Sequence, residues 1–203
     1  MTREQQKQLK LLKNSVMNIA LPEIKGYKLK RKDGRVWQQK NGMFFSMLLF
    51  VSANDNNQCL FTALESVKPL WADDLLWDIL DMPENKAEPL SLRSVGAFTV
   101  SGAEIVNATA ELPNWELGEL EEQISLSIRH FYESIQAVDE AEFYRLAEQP
   151  GYQSDMMKAL ILIHNGKYAD AIRFVDTMEN DWLSNAGRGF RERAKAYCEK
   201  EGI

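Results

Sequence analysis

Four aspartates crowd one short stretch of the chain: Asp73, Asp74, Asp78 and Asp81. Asp74 and Asp78 are four residues apart, so a helix sets them on one face. Two carboxylates held that way suit a divalent cation shared with a substrate phosphate, the chemistry of a metal-dependent enzyme. The phosphate-cradling loops GxGxxG and GxxxxGK[ST] are absent from the sequence. The plainer reading makes Asp73 and Asp74 a helix start, where negative charge is favoured. Glu111, Glu116, Glu119, Glu121 and Glu122 form a second acidic group. They lie too near one another in sequence for the opposed carboxylates of a glycoside hydrolase. They read instead as the acid-rich first turn of a helix.

Nucleophilic chemistry has little to draw on. The thiols are Cys59 and Cys198, and the histidines are His130 and His164. A dyad of Cys59 with either histidine is conceivable, but Cys59 falls in an apolar run and reads as a small core residue. His130 lies beside the apolar stripe of a long helix rather than on it, which suits a solvated side chain. His164 precedes Asn165-Gly166, where a helix C-terminus favours a cation. No CxxC, HxxxH or Cys/His quartet is present, so no metal site and no cofactor is expected. No residue is assigned a catalytic role, and the reading leans away from an enzyme.

Charge is more informative. Residues 1–40 hold eleven Lys/Arg and three Asp/Glu, a balance of +8, which leaves −14 on the rest of the chain. The basic stretch 25–40 includes Tyr27 and Trp37. Cations interleaved with aromatics suit nucleic acid or an acidic protein surface. A sequence pI of about 5.1 disfavours nucleic acid. Lysines along a hairpin also serve to discourage edge pairing, without any partner. The expected contacts to a partner are Lys30, Arg31, Lys32, Arg35 and Trp37, together with Trp77, which sits one residue off the inner face of its helix. The partner is another protein with an acidic surface, or a second copy of this chain.

These residues must be carried by a definable set of elements. Leu9, Leu12, Val16 and Ile19 step by three and four, which predicts a helix over 3–20 that stops before Pro22. Asp33-Gly34 and Asn41-Gly42 are strong hairpin turns. The run 43–51 has only Ser46 as a polar residue and predicts a central strand buried on both faces; 59–67 predicts its neighbour. After Lys68-Pro69, a short helix over 70–80 is expected to turn Trp71, Leu75, Ile79 and Leu80 inward. A polar loop follows, then two strands over 92–100 and 104–109. Leu117, Leu120, Ile124, Ile128, Phe131 and Ile135 predict one long helix. Further helices are expected over 141–148, 155–164 and 168–178, with a last one starting near Arg188.

The fold class is therefore α+β: an antiparallel sheet with packed helices, followed by an α-helical C-terminal extension. The division is an α+β sheet domain over 1–138 and a helical extension over 139–203 packed on it. The longest apolar run is far short of the ~20 residues that span a bilayer, and no secretory leader opens the sequence. With two distant cysteines, this predicts a cytoplasmic protein with reduced thiols.

Three resemblances follow from particular segments. The stretch 159–172, through Gly166, Tyr168 and Ala171, resembles a single tetratricopeptide hairpin, although the signature Trp and closing Pro of that repeat are missing. The first 137 residues are similar in element order, α-βββ-α-ββ-α, and in acidity to type III secretion chaperones. The segments 71–79 and 89–93 resemble bacterial domains of unknown function, some of which accompany toxins as immunity proteins. The chaperone resemblance implies a dimer that holds an extended segment, and the immunity resemblance implies a non-catalytic partner of another protein.

Overall fold

The computed structural model describes residues 1–150, 154–184, 187 and 189–202. Helix α1 (Arg3–Gly26) opens on a capping box, with the Thr2 hydroxyl accepting from the Gln5 amide and the Gln5 side chain returning the bond. It does not stop at Pro22. The apolar stripe continues through buried Ala20 to buried Ile24, and packing carries the helix past the missing amide. Strands β1 (Lys30–Lys32), β2 (Arg35–Lys40), β3 (Met43–Ala53) and β4 (Cys59–Pro69) then form an antiparallel meander. Both tight turns have positive φ at their two central residues, Asp33/Gly34 and Asn41/Gly42, as the Asp-Gly and Asn-Gly pairs require.

Helix α2 (Leu70–Ile79) follows directly, then a 3-10 turn (Pro83–Ala87) and the short helix α3 (Leu92–Val95). Strand β5 (Ala103–Glu111) returns antiparallel to β4 and completes the five-stranded order β1-β2-β3-β4-β5. The rest is helical: α4 (Leu117–Ala137), α5 (Glu140–Ala147), α6 (Ser154–His164), α7 (Tyr168–Thr177) and α8 (Phe190–Glu201). The class is α+β, as the sequence pattern predicts. Among the described residues no helix is long and apolar enough to cross a membrane.

Period two divides the sheet into unlike faces. Met43, Phe45, Met47, Leu49 and Val51 of β3 and Phe61, Ala63 and Val67 of β4 are buried on one face. Helices α1 and α4 pack against each other and against that face. The other face is closed at the Phe44 end but opens along the strand: Leu48 is half-buried and Phe50 exposed. So β3 is central, but the expected burial on both faces fails toward its C-terminal end, where Phe50 is exposed; helix α5 lies against β4 and β5. Helices α6 and α8 pack on α2, and one contiguous core runs from Leu9 to Cys198.

The expected strand over 92–100 does not form. Helix α3 occupies its start, and the remainder is irregular because its backbone is committed elsewhere. The Arg93 and Val100 carbonyls accept from Lys68 Nζ, and the Val100 amide donates to Asp73. One strand rather than two therefore follows α2, a departure from the α-βββ-α-ββ-α order. Helix α2 turns Ile79 and Leu80 inward as expected, but it is rotated so that Ala72, Asp73, Leu76 and Trp77 are also buried, while Trp71 and Leu75 are only partly buried. The predicted turn at Pro150-Gly151 and the helix start at Arg188 touch Gly151 and Arg188, outside the described residues; α8 begins at Phe190.

Candidate functional site

Three groups of charged residues emerge. The first is the basic hairpin. Lys30, Arg31 and Lys32 are all exposed on β1, which ends the sheet. Among the described residues, the one carboxylate within ion-pair reach of them is Asp33 in the turn, 3.5 Å from Lys32. Arg35 is paired in register with Lys32 and is half-buried. Trp37 is not a surface aromatic: it is 5 % exposed, stacks on Phe44 at 5.3 Å, and lies under the Lys30 ammonium at 4.8 Å. Of the six residues expected to contact a partner, Trp77 departs furthest. It is 1 % exposed, and its indole N–H donates to the Phe98 carbonyl at 2.6 Å. It faces inward because α2 is rotated, so it offers no surface to a partner.

The second group holds the aspartates, three of which, Asp73, Asp74 and Asp78, each have a cation. Asp73 is fully buried and binds Lys68 Nζ at 2.9 Å, with Arg93 at 3.5 Å. Asp74 takes the other end of the Arg93 guanidinium at 2.7 Å, and Asp78 takes Lys86 at 2.6 Å. Arg93 also stacks over Trp77, 4.7 Å from the ring centroid, and donates to the Leu70 carbonyl. Burial pushes the Lys68 ammonium below its usual range, and Asp73 pulls it back up. All three donors of Lys68 are used, on Asp73, the Arg93 carbonyl and the Val100 carbonyl. The oxygens expected to hold a divalent ion are thus occupied by protein cations. Among the described residues no three His, Cys, Asp or Glu side chains converge as ligands.

The third group has no counterpart in the sequence reading. Glu65 of β4 is 1 % exposed and lies under α4. His130 and Ser134, one turn apart on α4, both reach it. His130 Nδ1 stands 3.0 and 3.1 Å from the two carboxylate oxygens, and the Ser134 hydroxyl donates at 3.1 Å. Serine, histidine and acid in contact invite comparison with a hydrolytic triad. A triad places the acid on one ring nitrogen and the nucleophile on the other. Here Ser134 is 3.4 Å from the same Nδ1 that faces Glu65. The arrangement grips a buried carboxylate and does not activate a hydroxyl. Glu65 was legible as the one acid at the inward positions of the run 59–67, in step with Phe61, Ala63 and Val67.

Burial holds the Glu65 carboxyl above the usual carboxylate range, against the opposing hydrogen bonds from His130 and Ser134. The native state therefore binds this proton more tightly than the unfolded chain. The stability tied to Glu65 is fully present below the usual carboxylate range and is lost as pH rises through the native value. Melting of the wild type and of Glu65→Gln, followed from pH 4 to pH 7, should show the wild type losing ground to the variant as pH rises. Parallel curves would show that Glu65 does not titrate differently on folding.

The remaining chemical candidates are structural. Glu116 and Glu119 form the capping box of α4. Cys59 is fully buried, which raises its thiol, and lies six residues along β4 from Glu65, about 20 Å from the His130 site at ~3.3 Å per residue. His164 stacks flat on Trp71 at 3.9 Å.

Beside the aspartate group, on the open face of the sheet, lies a trough of about 380 Å³. Ser46, Leu64 and Ser66 line it from the sheet, Ser94 to Gly102 form one side, and Leu146, Ala147 and Met157 contribute from α5 and α6. No protein-family model, curated protein or solved structure matches this chain.

Proposed function

We propose that this is a non-catalytic protein-binding protein, of the immunity-partner kind, whose basic hairpin docks on an acidic protein surface. The observation that supports the reading best is the state of the hairpin's cations. Lys30, Arg31 and Lys32 stand exposed on the terminal strand, whereas buried Lys68 and Arg93 are both neutralised by aspartates. Charges that the fold uses internally are neutralised by aspartates, whereas the hairpin cations remain exposed, with only the turn residue Asp33 near Lys32 and the Trp37 ring under Lys30 among the described residues. A strip of like charge at the edge of an otherwise acidic chain speeds encounter with the opposite charge. It also keeps the exposed edge from pairing indiscriminately with other strands. A secretion-chaperone-like dimer would use the same strip on the acidic face of a second copy.

The test compares the wild type with Lys30→Glu/Arg31→Glu/Lys32→Glu. A partner captured by the wild type at low salt should associate with the triple variant at least tenfold more slowly. That difference should close as salt shortens the Debye length to about 3 Å near 1 M. The fold should be unchanged, because exposed substitutions usually shift stability by under about 0.5 kcal/mol. Equal association rates at low ionic strength would overturn the reading. Sedimentation of the chain alone, at low and high salt, separates a foreign partner from a second copy.

A further inference from the structure

We infer that the trough on the open face of the sheet binds an extended, acidic polypeptide segment, with a carboxylate of that segment seated on Arg35. The inference rests on the protein-binding reading and identifies the part of the partner that would enter this molecule.

Three cations line the trough: Arg35, Lys68 and Arg93. Lys68 and Arg93 are committed to Asp73, Asp74 and backbone carbonyls. The Arg35 guanidinium makes no ion pair or hydrogen bond with any described side chain, yet it is half-buried and near enough to help depress the Lys68 ammonium. An uncommitted guanidinium suits a carboxylate, which accepts two parallel bonds from Arg.

The opposite rim decides what kind of molecule carries that carboxylate. Glu104 of β5 also lines the trough, and its carboxylate accepts from Asn107. Arg35 lies on β2 and Glu104 on β5, three strand spacings apart, or about 14 Å at ~4.8 Å each. A free amino acid or small dicarboxylate cannot reach both ends. An extended chain of about five residues, at ~3.3 Å each, can. A single uncommitted cation facing a carboxylate also disfavours a phosphate dianion, which typically draws several Arg or Lys. Between the ends, half-buried Leu64 and the paired Ser46 and Ser66 hydroxyls form a mixed floor that suits small or apolar side chains. Because Arg35 pairs in register with Lys32, the trough runs onto the exposed basic strip, where further acids of the same segment would lie.

The probe is a fluorescently labelled Glu-Glu-Ala-Ser-Ala-Lys peptide, its reverse sequence, and a version with Gln for both Glu, titrated against the full chain by anisotropy. One orientation of the acidic peptide should bind with a Kd below about 1 mM. Arg35→Gln should weaken it tenfold or more while melting within a few degrees of the wild type, since the guanidinium pairs with no described side chain. Arg35→Lys supplies a readout that a structural role would not give: it keeps the charge but not the two-pronged donor, so peptide binding should fall between wild type and Arg35→Gln at an unchanged melting temperature. Free glutamate should not compete at concentrations near the peptide's Kd.

No binding by either acidic peptide, equal binding of the Gln version, or indifference to Arg35→Gln would each overturn the site. Competition by free glutamate at the peptide's affinity would overturn the polypeptide in favour of a small carboxylate. If Arg35→Gln has no effect while the hairpin triple variant still loses its partner, the trough is wrong and the hairpin reading stands. The reverse pattern would leave the trough standing without the hairpin.

Discussion

Asp73→Ala should cost about 3–5 kcal/mol of stability, because it leaves two buried cations without their shared counter-charge. Asp73 is fully buried, accepts from Lys68 and from the Val100 amide at 2.8 Å, and lies 3.5 Å from Arg93. Natural domains are stable by only about 5–15 kcal/mol, so the variant should melt roughly 10 °C lower or be largely unfolded. Asp73→Asn should fall between, since it keeps an acceptor for Val100 but not the charge. Lys68→Met/Asp73→Leu should recover most of the loss, because a buried ion pair is often replaced by apolar side chains at little net cost. The pH dependence has a definite sign. The Lys68 ammonium is already held low by burial, and Asp73 is the group that raises it. Without Asp73 the native value falls further, so the unfolded chain binds more protons from that value up to the ordinary ~10.4. Stability of Asp73→Ala should therefore rise with pH across that window and regain part of its deficit near pH 10. A loss below about 1 kcal/mol in denaturant titration would show that the network does not hold α2 to the segment after α3.

That network also marks where the sequence stops being legible. The hairpin turns, β3, β4, β5 and α4 were readable because local signals and tertiary packing agree there: Asn-Gly and Asp-Gly turns, period two, then a three-four stripe. The segment 92–100 was misread as a strand because Leu92, Val95, Phe98 and Val100 make it a short apolar run, although they do not alternate strictly. Its backbone is nevertheless consumed by Lys68 and Asp73, whose side chains act as the missing ladder partners. No window over 92–100 contains that information, since Lys68 lies 25 residues upstream of Arg93. Pro22 misled in the opposite direction: a local helix breaker is overridden by burial of Ile24. Among the site residues, the exposed cations of the hairpin follow from turn geometry. The trough does not, because it is built from Arg35, Ser94 and Glu104 on three elements that only the sheet order and the α3 segment bring together.

Trp77→Ala should cost about 3–5 kcal/mol, the usual range for emptying a buried aromatic site. The residue types at 71–79 allow two faces for α2, and the one that forms is chosen by polar contacts as much as by hydrophobicity. Turning Trp77 inward lets its N–H reach the Phe98 carbonyl at 2.6 Å and sets the ring under Arg93 at 4.7 Å. The same rotation buries Asp73 beside Lys68. Trp77→Phe keeps most of the buried area and loses the hydrogen bond, so it should cost about 1–2 kcal/mol. Both variants, compared below their melting temperatures, should bind a partner as the wild type does, in contrast to charge reversal at the hairpin. Arg93 touches both Asp73 and Trp77, so the two sites are not independent. Losing Asp73 removes one of the contacts that hold Arg93 over the indole, Asp74 and the Leu70 carbonyl remaining, so part of the Trp77 contribution is expected to be lost with it. The double variant Asp73→Ala/Trp77→Ala should then cost less than the sum of the singles, by about 0.5–3 kcal/mol. Strict additivity would mean that Asp73 does not act on Trp77 through Arg93. A Trp77→Ala variant with native stability but weakened association would return Trp77 to the binding surface.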